Sequence, residues 1–273
     1  FQAGQYVSIH LNIGDTITTR PYSISSAPFQ AQIKGHPFFE ITVRNGRPDT
    51  GFGANYIYAN AKEGDEFVVE MPFGHFYLEE LRDSKDIVAL AGGSGITPFY
   101  SMAQEIANGT LDFNLTILYG SVSHDDIILE KQLNEITKKT DKVKFINVIS
   151  GEGAKLEKGD EKGFIAREII KKYSVDKDPS NAKTSFFVCG PLPMYTFVKG
   201  ELDALNVPAR RIRMEVFGAP KDVTKAEGYS GDIKAIYKLT VIRGIQEDVI
   251  DARADEPIAV ALERHGIQIR TCC

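Results

Sequence analysis

The stretch IVALAGGSGITPFYSM, residues 87–102, decides the fold. Ile87 to Ala91 run without a polar break and then meet Gly92, Gly93, Ser94 and Gly95. A short strand that is apolar at every position is buried on both faces, as in a parallel sheet covered by helices on two sides. The glycines let a ligand approach the backbone, and the helix that follows offers an anion its free N-terminal amides. Pro98 suits the first turn of that helix, where a missing N–H costs no hydrogen bond. The loop lacks the full G-x-G-x-x-G fingerprint. From these residues alone, a tight strand-to-helix turn and a phosphate loop both stay open.

Downstream the alternation continues. Leu115–Tyr119, Lys144–Ile149, Ser185–Cys189 and Arg211–Phe217 read as four more apolar strands. Helical spacing predicts helices over Phe99–Ala107, Ile127–Lys139, Phe164–Tyr173 and Met194–Leu205. The pattern predicts an α/β domain with a five-stranded parallel sheet over residues 83–218, its ligand beyond the carboxyl ends of the strands. Upstream, residues 1–82 carry short β-branched or alternating runs, Tyr6–Leu11, Phe38–Arg44 and Glu66–Met71, with glycines and prolines between them. That is the pattern of an antiparallel β-barrel or sandwich. Residues 219–235 are polar and aperiodic and read as a linker. Residues 236–273 begin a third unit, with strands at Tyr237–Ile242 and Asp248–Ala252 and a helix at Ile258–Arg264.

At 273 residues the chain has room for about two domains. Apolar residues make up 42 % and the net charge is -5. A mildly acidic chain lacks the basic footprint of a nucleic-acid or anionic-membrane binder. No apolar run nears the ~20 residues of a membrane span. Three cysteines, two of them adjacent, make no disulfide framework, so a reducing, cytoplasmic setting is expected. The opening on Phe1-Gln2-Ala3 and the close on Cys272-Cys273 read as mid-domain cuts, the first removing the start of the barrel and the second leaving the last unit incomplete. The five histidines, at 10, 36, 75, 124 and 265, are scattered and form no H-E-x-x-H site.

Several short motifs bear on chemistry. In Arg20-Pro21-Tyr22-Ser23, Arg supplies a fork of donors for a phosphate, Tyr a flat face for a planar ring, and Ser a donor to a ring atom; an ordinary strand end is the alternative. Thr50-Gly51-Phe52-Gly53-Ala54-Asn55 reads as a glycine-rich loop able to turn amides toward an anion. Cys189-Gly190-Pro191 and Glu215-Val216-Phe217-Gly218 end two parallel strands on the edge where the residue 92–98 loop lies. No base is visibly paired with Cys189, so it does not read as a nucleophile.

In order, GQYVSI, RPYSISS, EGDEFVVEMPFGHF, GGSGITP and CGPLPM resemble the ferredoxin–NADP reductase family of flavoprotein reductases, from Phe1 to Phe217. The resemblance implies an FAD-binding barrel followed by a nicotinamide-nucleotide domain, in a reductase that passes hydride from NAD(P)H to FAD. Arg20 would hold the flavin phosphate, Tyr22, beside Pro21, would pack on the ring, and Ser23 would bond near N5. Phe52, Gly53 and Ala54 would bind the pyrophosphate, which favours FAD over FMN. Gly93, Gly95, Thr97 and Pro98, with Cys189, Gly190 and Pro191, would border the nicotinamide. Glu215 and Phe217 would cover the other side of the flavin. Ser23, Thr97, Cys189 and Glu215 are thus the expected catalytic set. The tail resembles the start of a β-grasp, plant-type [2Fe–2S] ferredoxin, with Cys273 as first metal ligand. That implies single electrons passed on to an iron–sulfur centre and then to a partner such as an oxygenase. No Arg stands in Tyr119–Ser123 or at Ser150-Gly151, where NADPH-dependent members often carry one, which favours NADH; Lys155 and Lys158 follow and could substitute for it, which keeps NADPH open. A flavin reductase for a small acceptor and a non-catalytic flavin- and nucleotide-binding subunit are the competing readings.

Overall fold

A computed structural model describes residues 1–13, 16–44, 52–175, 180, 183–215, 223–225, 229 and 231–267. The chain divides into two units, each assembled from separate stretches of sequence. One comprises Phe1–Tyr6, Tyr22–Arg44 and Pro72–Phe217; the other Val7–Pro21, Asn45–Met71 and Gly218–Cys273.

The first unit is built on a parallel sheet. Its strands are β4 (Asp86–Gly92), β5 (Asn114–Ser121), β6 (Val143–Ile149), β7 (Glu161–Lys162), β8 (Ser185–Cys189) and β9 (Ile212–Glu215), in the order β7-β6-β5-β4-β8-β9. The two-residue β7 makes six strands where the sequence predicts five; two residues carry no apolar pattern by which to read a strand. Residues 216 and 217, expected to extend β9, lie outside the described residues.

The apolar run behaves as its composition requires. Ile87, Ala89 and Ala91 enter one core with Phe99, Met102 and Ile106 of α2 (Thr97–Asn108) and Leu133 and Ile136 of α3 (Glu130–Thr137). Val88 and Leu90 enter a second core with Ile170 of α4 (Arg167–Tyr173) and Val198 and Leu202 of α5 (Leu192–Ala204). Side chains alternate across a strand, so both faces of β4 are dry. Each such Ile or Leu contributes roughly 1.5–3 kcal/mol by burial. α2 ends at Gly109, whose N–H returns to the Glu105 and Ile106 carbonyls.

α3 and α4 start later than their apolar spacing predicts. Leu129, at φ 61, cannot continue a helix backward from Glu130. Before α4, the Ala166 N–H donates to the Phe164 carbonyl, a tighter turn than a helix makes.

Upstream, β1 (Tyr6–Ile13), β2 (Thr16–Ser23) and β3 (Val69–Phe73) form a three-stranded sheet in the order β2-β1-β3. Two residues join β1 to β2, a connection only an antiparallel pair permits. Among the described residues this region holds three strands rather than the full strand series of a barrel. Phe38–Arg44 forms no ladder; Ile41 makes one isolated bridge to Ile24. Side chains serve the neighbouring backbone instead, with Ser26 Oγ accepting the Glu40 N–H at 2.8 Å. Residues 52–55 open α1 (Phe52–Asn60) instead of lying in a loop.

In the last unit of sequence, β10 (Ile236–Arg243) and β11 (Gln246–Arg253) form an antiparallel hairpin. Ile250, Leu262 and Ile267, with Leu239 and Val241, pack it against α6 (Ile258–Arg264). Within the expected linker, Tyr229 Oη donates to the Ala254 carbonyl at the end of this hairpin.

Candidate functional site

Every ladder in the large sheet is parallel, so the carboxyl ends share one edge. Ala91 pairs with Cys189, and Cys189 with Glu215. β4, β8 and β9 therefore end in step, and the glycine loop, Cys189 and Glu215 arrive together. Gly95 is pressed onto the end of β8: a Cβ there would overlap the Cys189 carbonyl and stand 2.7 Å from Gly190 N. Only glycine permits that approach. Tyr119 Oη donates to the Gly93 carbonyl at 3.1 Å, and Thr97 Oγ1 to the Ser94 carbonyl at 2.9 Å. Thr97 and Pro98 are buried; Gly190 is half-buried and Pro191 exposed at the start of α5.

Electrostatics divide the two reactive groups on this edge. Cys189 is fully buried, and burial followed by the nearby Glu215 charge pushes its thiol well above the usual range. It stays a neutral thiol, a packing and contact residue rather than a nucleophile. Burial pushes the Glu215 carboxyl up to about 8. Its Oε2 is buried with no hydrogen-bond partner among the described residues. At neutral pH Glu215 is thus mostly protonated and holds a proton beside an open acceptor position.

A cavity of about 250 Å³ lies beside Glu215, lined by His75, Phe76, Arg82, Ile212, Arg213 and Met214 as well. Arg213 fixes this end of β9. It donates to Asp83 Oδ2 at 2.7 Å and Oδ1 at 3.1 Å, and to Glu79 Oε1 and the His75 carbonyl at 3.2 Å. Asp83 has a fully buried side chain, so the pair is a desolvated fork-to-carboxylate contact.

Ser23 is buried and Tyr22 half-buried at the end of β2. The chain leaving them is tied to α2. Ser101 Oγ donates to the Ser26 carbonyl at 2.6 Å, Gln104 Nε2 to the Ser25 carbonyl at 2.9 Å, and the Phe29 N–H to Glu105 Oε1 at 2.9 Å. The helix that begins at the glycine loop thus also anchors the segment after Tyr22-Ser23.

In the other unit, Arg20 and the start of α1 meet. A Cβ on Gly53 would stand 2.8 Å from Arg20 Cγ and 3.1 Å from Leu11 Cδ1. The bare backbone lets the Arg20 stem lie against the first turn, where Phe52, Gly53 and Ala54 have amides without intrahelical acceptors. Arg20 Nη1 donates to the Thr19 carbonyl at 2.9 Å and to Thr18 Oγ1, which holds the side chain half-buried. A guanidinium beside a helix N-terminus fits a phosphate. Phe217, Cys272 and Cys273 lie outside the described residues.

Three contributors escaped sequence reasoning. Arg213 sits in a strand and pairs with Asp83, 130 residues earlier. Tyr119 read only as apolar. Arg44 ends the run 38–44, with Nη1 3.4 Å from where a Gly93 Cβ would stand and Nη2 3.7 Å from Asp126 Oδ1. Only Arg44 left a signal, a cation closing a β-like run.

Residues 89–200 match the family model for the oxidoreductase NAD-binding domain. The flavohemoprotein of Oceanobacillus iheyensis is 29% identical over 229 residues, 82% of this chain and 53% of that protein. The glycine betaine monooxygenase reductase subunit of Pseudomonas aeruginosa is 27% identical over 83% of this chain and 59% of that one. The chain spans about half the length of the curated relatives it matches. In fold it is similar to the FAD/NAD-binding domain of a nitric oxide dioxygenase from Vibrio cholerae (TM-score 0.65, 24% identity, 80% of this chain and 86% of that one). It is also similar to an intact type IV self-sufficient cytochrome P450 monooxygenase (TM-score 0.62, 19% identity), a likeness covering 100% of this chain and 30% of that one. With its parallel nucleotide-domain sheet, its glycine loop and these matches, residues 89–200 are similar to an oxidoreductase NAD-binding domain, and the chain shares its fold with FAD- and NAD-binding reductase domains.

Proposed function

We propose that the chain is the reductase module of an electron-transfer system, taking electrons from NADH through bound FAD. The observation that carries this reading is the convergence of the residue 92–95 loop, Cys189 and the protonated Glu215 on one sheet edge. When bound, a flavin takes electrons from a nicotinamide as a pair and gives them up singly, so it bridges a two-electron donor and a one-electron acceptor.

The chain's own residues supply binding, orientation and one proton site. Arg20 and the amides of Phe52, Gly53 and Ala54 hold the FAD diphosphate. Tyr22, set by Pro21, lies along the ring, and Ser23 donates near its reactive nitrogen. The backbone of Gly93 and Gly95, with Thr97 and Pro98, cradles the nucleotide. Cys189, Gly190 and Pro191 pack at the nicotinamide, and Phe217 covers the flavin. Glu215 keeps a proton in a dry position beside them, and its unpartnered Oε2 fits a ligand that fills its open side.

NADH rather than NADPH is the reading supported by the turn after β5, whose own residues include no Arg. Arg44 reaches Asp126 there at 3.7 Å, which leaves the exposed Asp125 as the carboxylate suited to a free ribose hydroxyl rather than a phosphate. Residues 236–273 form the start of a [2Fe–2S] domain with Cys273 its first ligand. The β10–β11 hairpin packed on α6, the strand-strand-helix approach expected of such a domain, supports this. An oxygenase is the partner class, as for the relative that serves glycine betaine monooxygenase.

Acid extraction and chromatography of the bound flavin test the FAD site. FAD in the wild type and loss of about 90 % or more of it in Arg20→Ala are expected, a few kcal/mol being typical for one buried charge-assisted phosphate contact. FMN, or undiminished flavin in the variant, contradicts the assignment.

A further inference from the structure

His124 opens the 3-10 turn that follows β5 on the carboxyl edge of the sheet. Its Nε2 is 2.8 Å from Asp160 Oδ2, and its Nδ1 is 3.2 Å from Glu130 Oε1. Asp160 closes the connection between β6 and β7, and Glu130 begins α3. Carboxylates only accept hydrogen bonds, and a neutral imidazole carries a single N–H. Only the imidazolium satisfies both contacts. A neutral ring sets a lone pair against one carboxylate.

The partners are themselves fixed. Asp160 has a side chain 6% exposed and accepts the Glu157 N–H at 2.6 Å, so one carboxylate closes the Glu157–Asp160 turn and binds His124. Asn147 of β6 donates to Glu130 Oε1 at 3.0 Å. At its start, the same connection is held to β5: the Ser150 and Gly151 N–H groups donate to the Ser121 and Val122 carbonyls at 2.9 and 3.0 Å. His124 thus joins the connection after β6 to α3, across the end of β5. The charged groups around it are Asp160, Glu130 and, on its own turn, the exposed Asp125 and the half-buried Asp126, the latter 3.7 Å from Arg44. The Asp160 hydrogen bond, ahead of Glu130, holds the imidazole above its usual value against a smaller opposing effect of burial.

We propose that His124 is a positioning residue for nucleotide binding: as the imidazolium it clamps the Ser150–Asp160 connection to the ends of β5 and α3, and its deprotonation releases that connection. The link to nucleotide binding rests on the function proposed above; the clamp does not. A histidine whose folded pKa is raised contributes stability that is complete below its unfolded value, about 6.5, and is lost as pH rises through the folded one.

Amide hydrogen exchange over residues 150–160 of the nucleotide-free protein, corrected for intrinsic chemical rates, tests the clamp. Between about pH 6 and about pH 9, protection in the wild type is expected to fall ~10-fold or more. His124→Gln and Asp160→Asn are expected to show the lower protection at both values. NMR titration of the His124 ring in the wild type, which needs no variant to fold, is expected to give a midpoint above the ordinary imidazole value. Protection that ignores pH in the wild type, or a ring that titrates at or below the ordinary value, overturns the proposal. KM for NADH is then expected to rise with pH in the wild type and to lose that slope in His124→Gln, while kcat follows the Glu215 carboxyl alike in both proteins. A wild-type KM that ignores pH overturns the positioning role. A protein that NADH never reduces contradicts the proposed function and leaves the exchange result standing.

Discussion

Glu215 is the residue on which the proposed chemistry turns, and its environment makes a signed prediction. Its carboxyl binds a proton more tightly folded than unfolded, so stability falls as pH rises from the ordinary carboxylate range toward about 8. Glu215→Gln removes that loss. Thermal unfolding is expected to show the variant level with the wild type near pH 4.5 and more stable by roughly 5 °C or more near pH 8. A variant less stable at the higher pH contradicts a buried, protonated Glu215. Gly95→Ala makes the complementary test of geometry, because its methyl group meets the Cys189 carbonyl. Overpacking against backbone costs about 1–3 kcal/mol; urea denaturation is expected to show at least that loss, with weaker nucleotide binding. The sequence carried the identity of these residues through their place at apolar strand ends. It did not carry the proton state of Glu215, which depends on burial by distant chain, nor the role of His124, whose partners lie 6 and 36 residues away.

At the scale of elements, periodicity was a sound guide where one pattern ruled. The uniform apolar run of β4 and the i, i+3, i+4, i+7 set Phe99, Met102, Ala103 and Ile106 of α2 left little choice of structure. It misled where local chemistry competed. The two glycines around Phe52 read as a loop, yet a helix starts there because its first turn rests on Arg20 and Leu11. The alternation of 38–44 reads as a strand, yet Ser25 and Ser26 hydroxyls bond that segment in place of a backbone ladder. β9 shows tertiary chemistry holding an element that is short for its task. Its four residues place Glu215, and Arg213 pins them to Asp83. Arg213→Met strands a buried carboxylate and is expected to cost about 3–5 kcal/mol in denaturant titration. The double variant Arg213→Met with Asp83→Leu is expected to recover most of it. A single variant with wild-type stability contradicts the brace.

On the proposed function the whole molecule divides its work: the edge of the parallel sheet takes the nucleotide, and Arg20 with the start of α1 takes a phosphate, while the β10–β11 hairpin packs on α6 as a separate small core. No helix among the described residues is long and apolar enough to cross a membrane. The acidic turn after β5 is expected to give a kcat/KM for NADH at least ~10-fold above that for NADPH, about 1.4 kcal/mol of discrimination. If the proposed iron–sulfur centre is present, flavin reduction is expected to precede bleaching of its absorption; a cluster that stays oxidised contradicts that proposed step. Hydride transfer from NADH to the flavin is tested most directly by mixing the flavin-loaded protein with NADH under argon and following the visible flavin band on the stopped-flow timescale of enzyme turnover. Rapid loss of that band is expected, slowed by Gly95→Ala. A band that persists with both NADH and NADPH contradicts it.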